Sequence, residues 1–281
     1  MANIKLNRKS EGAYQYASIS RKVPQGLGAA KVALQKFLRS IDNVGWSRRE
    51  ETGRVDRRAF TRYACGESSI FSRREYTEAT KSAVSVLIDL SGSTFDKFDK
   101  RDGRAIVHIF QEVAIHLSNL LRDCKVDYAI TGFHGRSTYD TELRILLEDV
   151  TFTEIKGWGD NPVNVGPVLG RLTDLVGGAT PDYSALRLSI EELSKLPHQR
   201  KVLFILTDAD GYNPSRIQQL ERVAEKLGIV IVAIGVGATP VETCFRYARN
   251  VKSAADAFSA SFGTLLKSIG GRNAAKVSTA T

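Results

Sequence analysis

The chain has 281 residues, 42% hydrophobic and 25% charged. This is ordinary globular composition and excludes a disordered, collagen-like or disulfide-stapled chain. The net charge of +9 is unevenly spread: residues 1–80 hold 16 Lys/Arg against 8 Asp/Glu, whereas residues 81–281 hold 24 against 23.

In chain order, residues 1–25 read as polar and irregular. The opening MANIKLNRKS has no apolar core of the signal-peptide kind. From about Gly28 to Ile41 the spacing of Leu34, Phe37, Leu38 and Ile41 predicts a helix. A basic stretch follows, with doublets at Arg48-Arg49, Arg57-Arg58 and Arg73-Arg74 among scattered aromatics, and reads as short strands or a hairpin. The pattern changes near Ser82. Ala83–Ile88 reads as a buried strand, and residues 102–123 as a helix with Ile106, Phe110, Val113, Leu117 and Leu120 on one face. Strands are expected at Val126–Phe133 and, more briefly, at Leu143–Leu147. A helix at 182–196 carries Leu186, Ile190 and Leu193, and Val202–Leu206 is a further buried strand. Asn213-Pro214 supplies an N-cap and first-turn signal for a helix that ends at Gly228. A strand at Ile229–Ile234 and a last helix bearing Phe258, Phe262, Leu265 and Ile269 complete the series, with 271–281 as a tail.

Continuous apolar strands alternating with amphipathic helices predict a three-layer, doubly wound, mostly parallel α/β sheet, preceded by a small basic α+β segment. The expected division is 1–80 for that segment, 81–270 for the α/β domain and 271–281 for the tail. No apolar run approaches the ~20 residues that span a bilayer. Cys65, Cys124 and Cys244 form no C-x-x-C pair. A cytoplasmic protein with no membrane association is the expectation.

Parallel sheets bind ligands beyond the carboxyl ends of their strands. Three loops at such positions carry oxygen side chains. The first is Asp89-Leu90-Ser91-Gly92-Ser93, the second Gly177-Gly178-Ala179-Thr180-Pro181, the third Thr207-Asp208-Ala209-Asp210-Gly211. If they converge, two carboxylates and three hydroxyls form a hard-oxygen set that suits Mg²⁺, Ca²⁺ or Mn²⁺. Any one loop alone could be an ordinary turn, because Ser, Gly and Asp are common loop residues.

Asp89-x-Ser91-x-Ser93, then Thr180, then Asp208, resembles the metal-ion-dependent adhesion site (MIDAS) of the von Willebrand factor A (VWA) domain over about residues 81–270. The resemblance implies that Ser91, Ser93 and Thr180 ligate a divalent cation, that Asp89 and Asp208 act directly or through water, and that a partner's acidic residue completes the shell. The family usually has Asp-Gly in the last loop, whereas Ala209 follows Asp208 here, and Asp210 remains an alternative. Upstream, Gly53–Phe60 and Ile70–Arg73, together with Ala233–Gly237 on the last strand, are similar to the CobT-type subunit of aerobic cobaltochelatase over roughly residues 44–270. That similarity implies a MoxR/CobS-like AAA+ ATPase partner. The long N-terminal portion and acidic linker of the full chelatase subunit are absent from the sequence.

Other features carry alternatives. Gly235-Val236-Gly237 precedes a helix signal, but Pro240 occupies the third glycine position of the dinucleotide fingerprint, and no P-loop occurs. His108 and His116 are too far apart to share a ligand, and His134 follows the second strand near the expected metal face. Trp158 is either a partner anchor beside the metal loops or a plug at the sheet edge. No nucleophile with its base is evident, which favours binding over catalysis. The functional expectation is a cation-dependent interaction module, non-catalytic by itself, docking to the ATPase or its client. The alternatives are a cobalt or magnesium chelatase subunit acting on tetrapyrroles, and a nucleic-acid-binding protein using the basic N-terminal segment.

Overall fold

The computed structural model describes residues 2–39, 44–50, 52, 54–56, 63, 71–76, 82–96, 98, 103–140, 145–237, 239–259 and 262–269. Two units are distinguished, residues 38–80 and the remainder of the chain. In the smaller unit, β1 (Val44–Glu50) and β2 (Arg54–Val55) each pair antiparallel with β3 (Phe71–Tyr76). The expected tail at 271–281, the helix end near Ile41, Cys65 and the Arg57-Arg58 doublet lie outside the described residues.

The larger unit is a doubly wound α/β fold. Its strands are β4 (Ser82–Asp89), β5 (Asp127–Asp140), β6 (Ile145–Lys156), β7 (Arg200–Thr207), β8 (Ile229–Gly235) and β9 (Ala248–Asn250), in the order β6-β5-β4-β7-β8-β9. All neighbours are parallel except β5 and β6, which form a long antiparallel hairpin. The helices are α1 (Ala2–Arg21), α2 (Leu27–Arg39), α3 (Ile106–Asp123), α4 (Gly166–Leu169), α5 (Asp182–Ser194), α6 (Pro214–Lys226), α7 (Ala254–Ala257) and α8 (residues 262–269). Leu186, Ile190 and Leu193 of α5 and Ile217, Leu220 and Ala224 of α6 cover one sheet face, where they meet Leu87, Leu203 and Ile231. On α3, 13 of 18 residues are buried, because α1 and the C-terminal helical region cover the side turned away from the sheet. Tyr16 of α1 donates to Asn119 of α3 at 2.7 Å, and Asn119 donates to Ser20 at 3.2 Å.

Several details differ from the sequence reading. Residues 1–25 are largely helical, not irregular. Helix α1 has no apolar stripe to betray it, and it is secured by packing on α4 and by the Tyr16–Asn119–Ser20 bonds. Strand β6 runs on to Lys156, well past Leu147; as an edge strand, it leaves Thr151, Phe152 and Glu154 exposed, so its sequence lacks a continuous apolar run. The last helix is broken into α7 and α8, and Leu266 rather than Leu265 enters the core beside Phe262 and Ile269. Residues 1–37 hold seven Lys/Arg and one Glu, and most of this stretch belongs to α1 and α2 of the larger unit.

The strand order places the site. Chain connections leave β4 toward β5 on one side and reach β7 on the other, so the seam between β4 and β7 is the topological switch point of the sheet. At such a seam the loops diverge and open a crevice above the strand ends. Asp89 ends β4 and Asp208 follows β7.

Candidate metal centre

The first loop folds tightly because its own polar groups close it. Asp89 Oδ1 accepts the Ser91 amide at 3.0 Å, and Thr94 Oγ1 donates to the Ser91 carbonyl at 2.7 Å. Ser91 Oγ and Ser93 Oγ are 3.1 Å apart. The Ser93 side chain lies beside Asp208, whose Oδ1 accepts the Asp210 amide at 3.1 Å. Four of the five expected residues, Asp89, Ser91, Ser93 and Asp208, thus form one connected cluster.

The loop that carries Thr180 is tied to the first loop by backbone bonds. The Gly92 amide donates to the Gly178 carbonyl at 2.9 Å and the Gly177 amide to the Leu90 carbonyl at 2.8 Å. Gly135 and Ala179 exchange backbone bonds of 3.1 and 2.8 Å, pinning the loop to β5 one residue before Thr180. Gly178 adopts φ +74°, and a Cβ there would sit 2.5 Å from the Gly135 carbonyl oxygen, so a glycine is required at this crossing. Thr180 itself is half-buried, and its hydroxyl takes no part in the bonds that join the other four residues. Asp210, the alternative ligand, is exposed, whereas Asp208 is 4% exposed. Asp208 and Asp210 line an open cleft of about 420 Å³ with Ser93, Asp96, Phe98 and Ile106.

The electrostatics of the cluster are unbalanced. Asp89 is fully buried, and burial, reinforced by the Asp208 charge, pushes its pKa up to about 7. Burial also pushes Asp208 up. Among the described residues, no cationic side chain figures among the groups that act on either carboxylate. Two adjacent buried carboxylates without a counter-charge are costly. A second sign is Tyr212 Oη, which is buried without a well-formed hydrogen bond; burial, then the charge of Asp89, drives the pKa of this phenol well above its ordinary value. A divalent cation fits this set. It would supply the missing charge, and hydroxyl plus carboxylate oxygens are its preferred donors. Both Asp89 oxygens already accept protein donors, Ser91 N–H and the Thr207 hydroxyl, so Asp89 suits a role that organises the shell through water. Among the described residues no group of three His, Cys, Asp or Glu side chains could hold a metal, so any such centre depends on the hydroxyls.

Sequence reasoning missed several participants. Thr207 Oγ1 donates to Asp89 Oδ2 at 3.0 Å and accepts the Ala209 amide at 2.9 Å; a hydroxyl at the very end of a strand was the available signal. Asp182, at the start of α5, is buried, and its pKa is raised to about 6, by burial first and by Glu148 to a lesser degree. Glu148 lies in the part of β6 beyond the expected strand, and nothing in its local sequence marks it. Other candidates resolve differently. His116 is buried edge-to-face against Phe258, and burial lowers its pKa. His108 is exposed, and His134 sits one residue past the Asp89–Phe133 pair. Trp158 packs against the core and donates to Glu192 at 3.0 Å, near the far end of α5 from Thr180, so it is a plug distant from the cluster. Gly235 is explained by packing, since a Cβ there would meet Asn250 and Val241 within 2.4 Å.

No protein-family model matches the sequence, and no curated protein matches it significantly. Solved structures align with it at low identity. The PilB minor pilin from Streptococcus sanguinis aligns at 15% identity over 73% of this chain and 66% of its own, with a TM-score of 0.45. BatB from Bacteroides thetaiotaomicron aligns at 11% identity over 68% of this chain and 99% of its own, with a TM-score of 0.45. Proximal thread matrix protein 1 from the mussel byssus, in a structure with a zinc-occupied MIDAS motif, aligns at 17% identity over 68% of this chain and 46% of its own, with a TM-score of 0.48. Among the described residues no helix is long and apolar enough to cross a membrane.

Proposed function

We propose that the chain is a divalent-cation-dependent interaction module of the VWA type. Ser91, Ser93 and Thr180 hold the cation with their hydroxyls, and Asp208 and Asp89 supply charge directly or through water. An acidic residue of a partner protein occupies the remaining position. The observation that carries this reading is the pair of buried, mutually repelling carboxylates, Asp89 and Asp208, at the sheet's switch point, with no cationic partner among the described residues. Mg²⁺ is the cation we favour, with Ca²⁺ and Mn²⁺ as alternatives. With few formal charges around it, the cation keeps enough electrophilicity to attract an external carboxylate.

The partner we favour is a MoxR/CobS-like AAA+ ATPase or its client, on the strength of the CobT-type motifs alone. The ATPase would supply the energy, and this chain would supply the cation-dependent grip. A role as a chelatase subunit is the more specific version of the same idea. The test is capture of such an ATPase with and without EDTA, and with Asp89→Ala. Retention that survives both treatments would overturn the docking mechanism.

A further inference from the structure

One buried carboxylate links the two halves of the cluster. Glu148 of β6 has a side chain only 1% exposed. Its Oε2 accepts the Ser184 amide at 2.8 Å, in the first turn of the helix that follows Thr180. Its Oε1 accepts Arg216 Nη1 at 3.2 Å, in the first turn of the helix that follows the Asp208 loop. The Arg216 guanidinium also lies 4.2 Å from the ring centroid of Tyr183, next to Ser184. The starts of α5 and α6 are therefore clasped to each other and to the β5–β6 hairpin.

This matters for the site because its ligands arrive from opposite sides of the seam. The Thr180 loop is stitched to the first loop and to β5 by backbone bonds. The Asp208 loop hangs from β7, and Val236 N–H donates to the Thr207 carbonyl at 3.1 Å on its far side. The Glu148–Arg216 clasp ties the two loops across the gap. Mg²⁺ demands near-ideal octahedral geometry with short bonds, whereas Ca²⁺ tolerates a looser and larger shell.

We propose that Glu148 and Arg216 are positioning residues that set the separation of the Thr180 and Asp208 loops and thereby the affinity and size preference of the cation site. The proposal rests on the cation-binding reading above. It assigns neither residue a direct contact with the cation.

The experiment titrates the full chain with Mg²⁺ and, separately, with Ca²⁺ by calorimetry, and records thermal unfolding in EDTA. Glu148→Gln and Arg216→Met are each expected to weaken Mg²⁺ binding at least fivefold while weakening Ca²⁺ less. The double variant is expected to be no weaker than the weaker single, because both substitutions break one clasp. Arg216→Lys, which keeps a charge beside Glu148, should recover part of the loss. Arg216 is 35% exposed, so its variants carry the test if Glu148→Gln fails to fold. Unchanged Mg²⁺ affinity in both variants, with Asp89→Ala abolishing it, overturns the proposal and leaves the cation reading standing. Equal losses for both ions that merely follow the drop in melting temperature also overturn it. Binding that survives Asp89→Ala removes the cation reading, and the proposal with it.

Discussion

Thr207 donates its hydroxyl to Asp89 across the seam between β7 and β4, at 3.0 Å and in full burial. The same hydroxyl accepts the Ala209 amide, so it fixes both the carboxylate and the start of the loop that carries Asp208. Thr207→Val keeps the shape and removes both bonds. Leaving buried polar groups unpaired costs roughly 1–3 kcal/mol, and this destabilisation is expected in urea unfolding. Thr207→Ser retains the hydroxyl and should lose under about 1 kcal/mol.

The cation-free protein should be a carboxylate-limited fold. Asp89 is raised to about 7 and Asp182 to about 6, and Asp208 moves in the same direction. A carboxyl whose folded pKa is raised favours folding when protonated. That advantage is complete below the ordinary carboxylate range and is lost as pH rises through the folded value. Thermal unfolding in EDTA should therefore show stability falling from pH 5 to pH 8. Asp89→Asn should flatten most of this decline and exceed the wild type at pH 8. Adding Mg²⁺ should restore the wild type at pH 8 and leave the Asn variant unmoved. A wild-type melting temperature that rises over this pH range in EDTA would contradict the assignment.

Ala209 adopts φ 54°, in the left-handed region, while fully buried beside Asp208. The VWA resemblance leads one to expect glycine after this aspartate, and the backbone takes the conformation glycine favours even though the side chain is present. A left-handed alanine costs roughly 1 kcal/mol, offset in part by the larger entropy that glycine loses on folding. Ala209→Gly should leave stability unchanged or raise it by up to about 1 kcal/mol in denaturant titration. A loss of more than that would show the methyl group to be a needed packing element.

Tyr212 is packed beside Phe245, with ring centroids 6.2 Å apart, while its hydroxyl lacks a well-formed bond. Tyr212→Phe removes the unsatisfied atom and keeps the ring. The cation-free protein should gain about 1 kcal/mol by thermal unfolding. A weaker Mg²⁺ affinity in the same variant would mark the hydroxyl as a partner of water in the cation's outer shell. Lower stability without cation would instead mean that the hydroxyl is already satisfied.

The sheet was legible because buried parallel strands are apolar throughout, as in Ala83–Ile88 and Val202–Leu206, and their alternation with helices dictates the layers. The convergence of Asp89, Ser91, Ser93 and Asp208 was legible because they follow strand ends, where polar residues interrupt an apolar run. Helix α1 escaped notice because it is held by tertiary contacts such as Tyr16 with Asn119 rather than by an apolar stripe. Glu148 and Tyr212 escaped because their roles depend on what the fold brings beside them. Glu148 looks like any edge-strand acid until Ser184 and Arg216 arrive from elsewhere in the chain.

The Thr207–Asp89 bond closes a loop of 118 residues. Contacts of such long sequence separation carry a large closure entropy and tend to slow folding. If β4 and β7 dock only after the rate-limiting step, the cluster is absent from the transition state, and a cation can stabilise only what lies beyond it. Mg²⁺ should then act as a latch, slowing the unfolding limb of a stopped-flow chevron while leaving the refolding limb almost where it was.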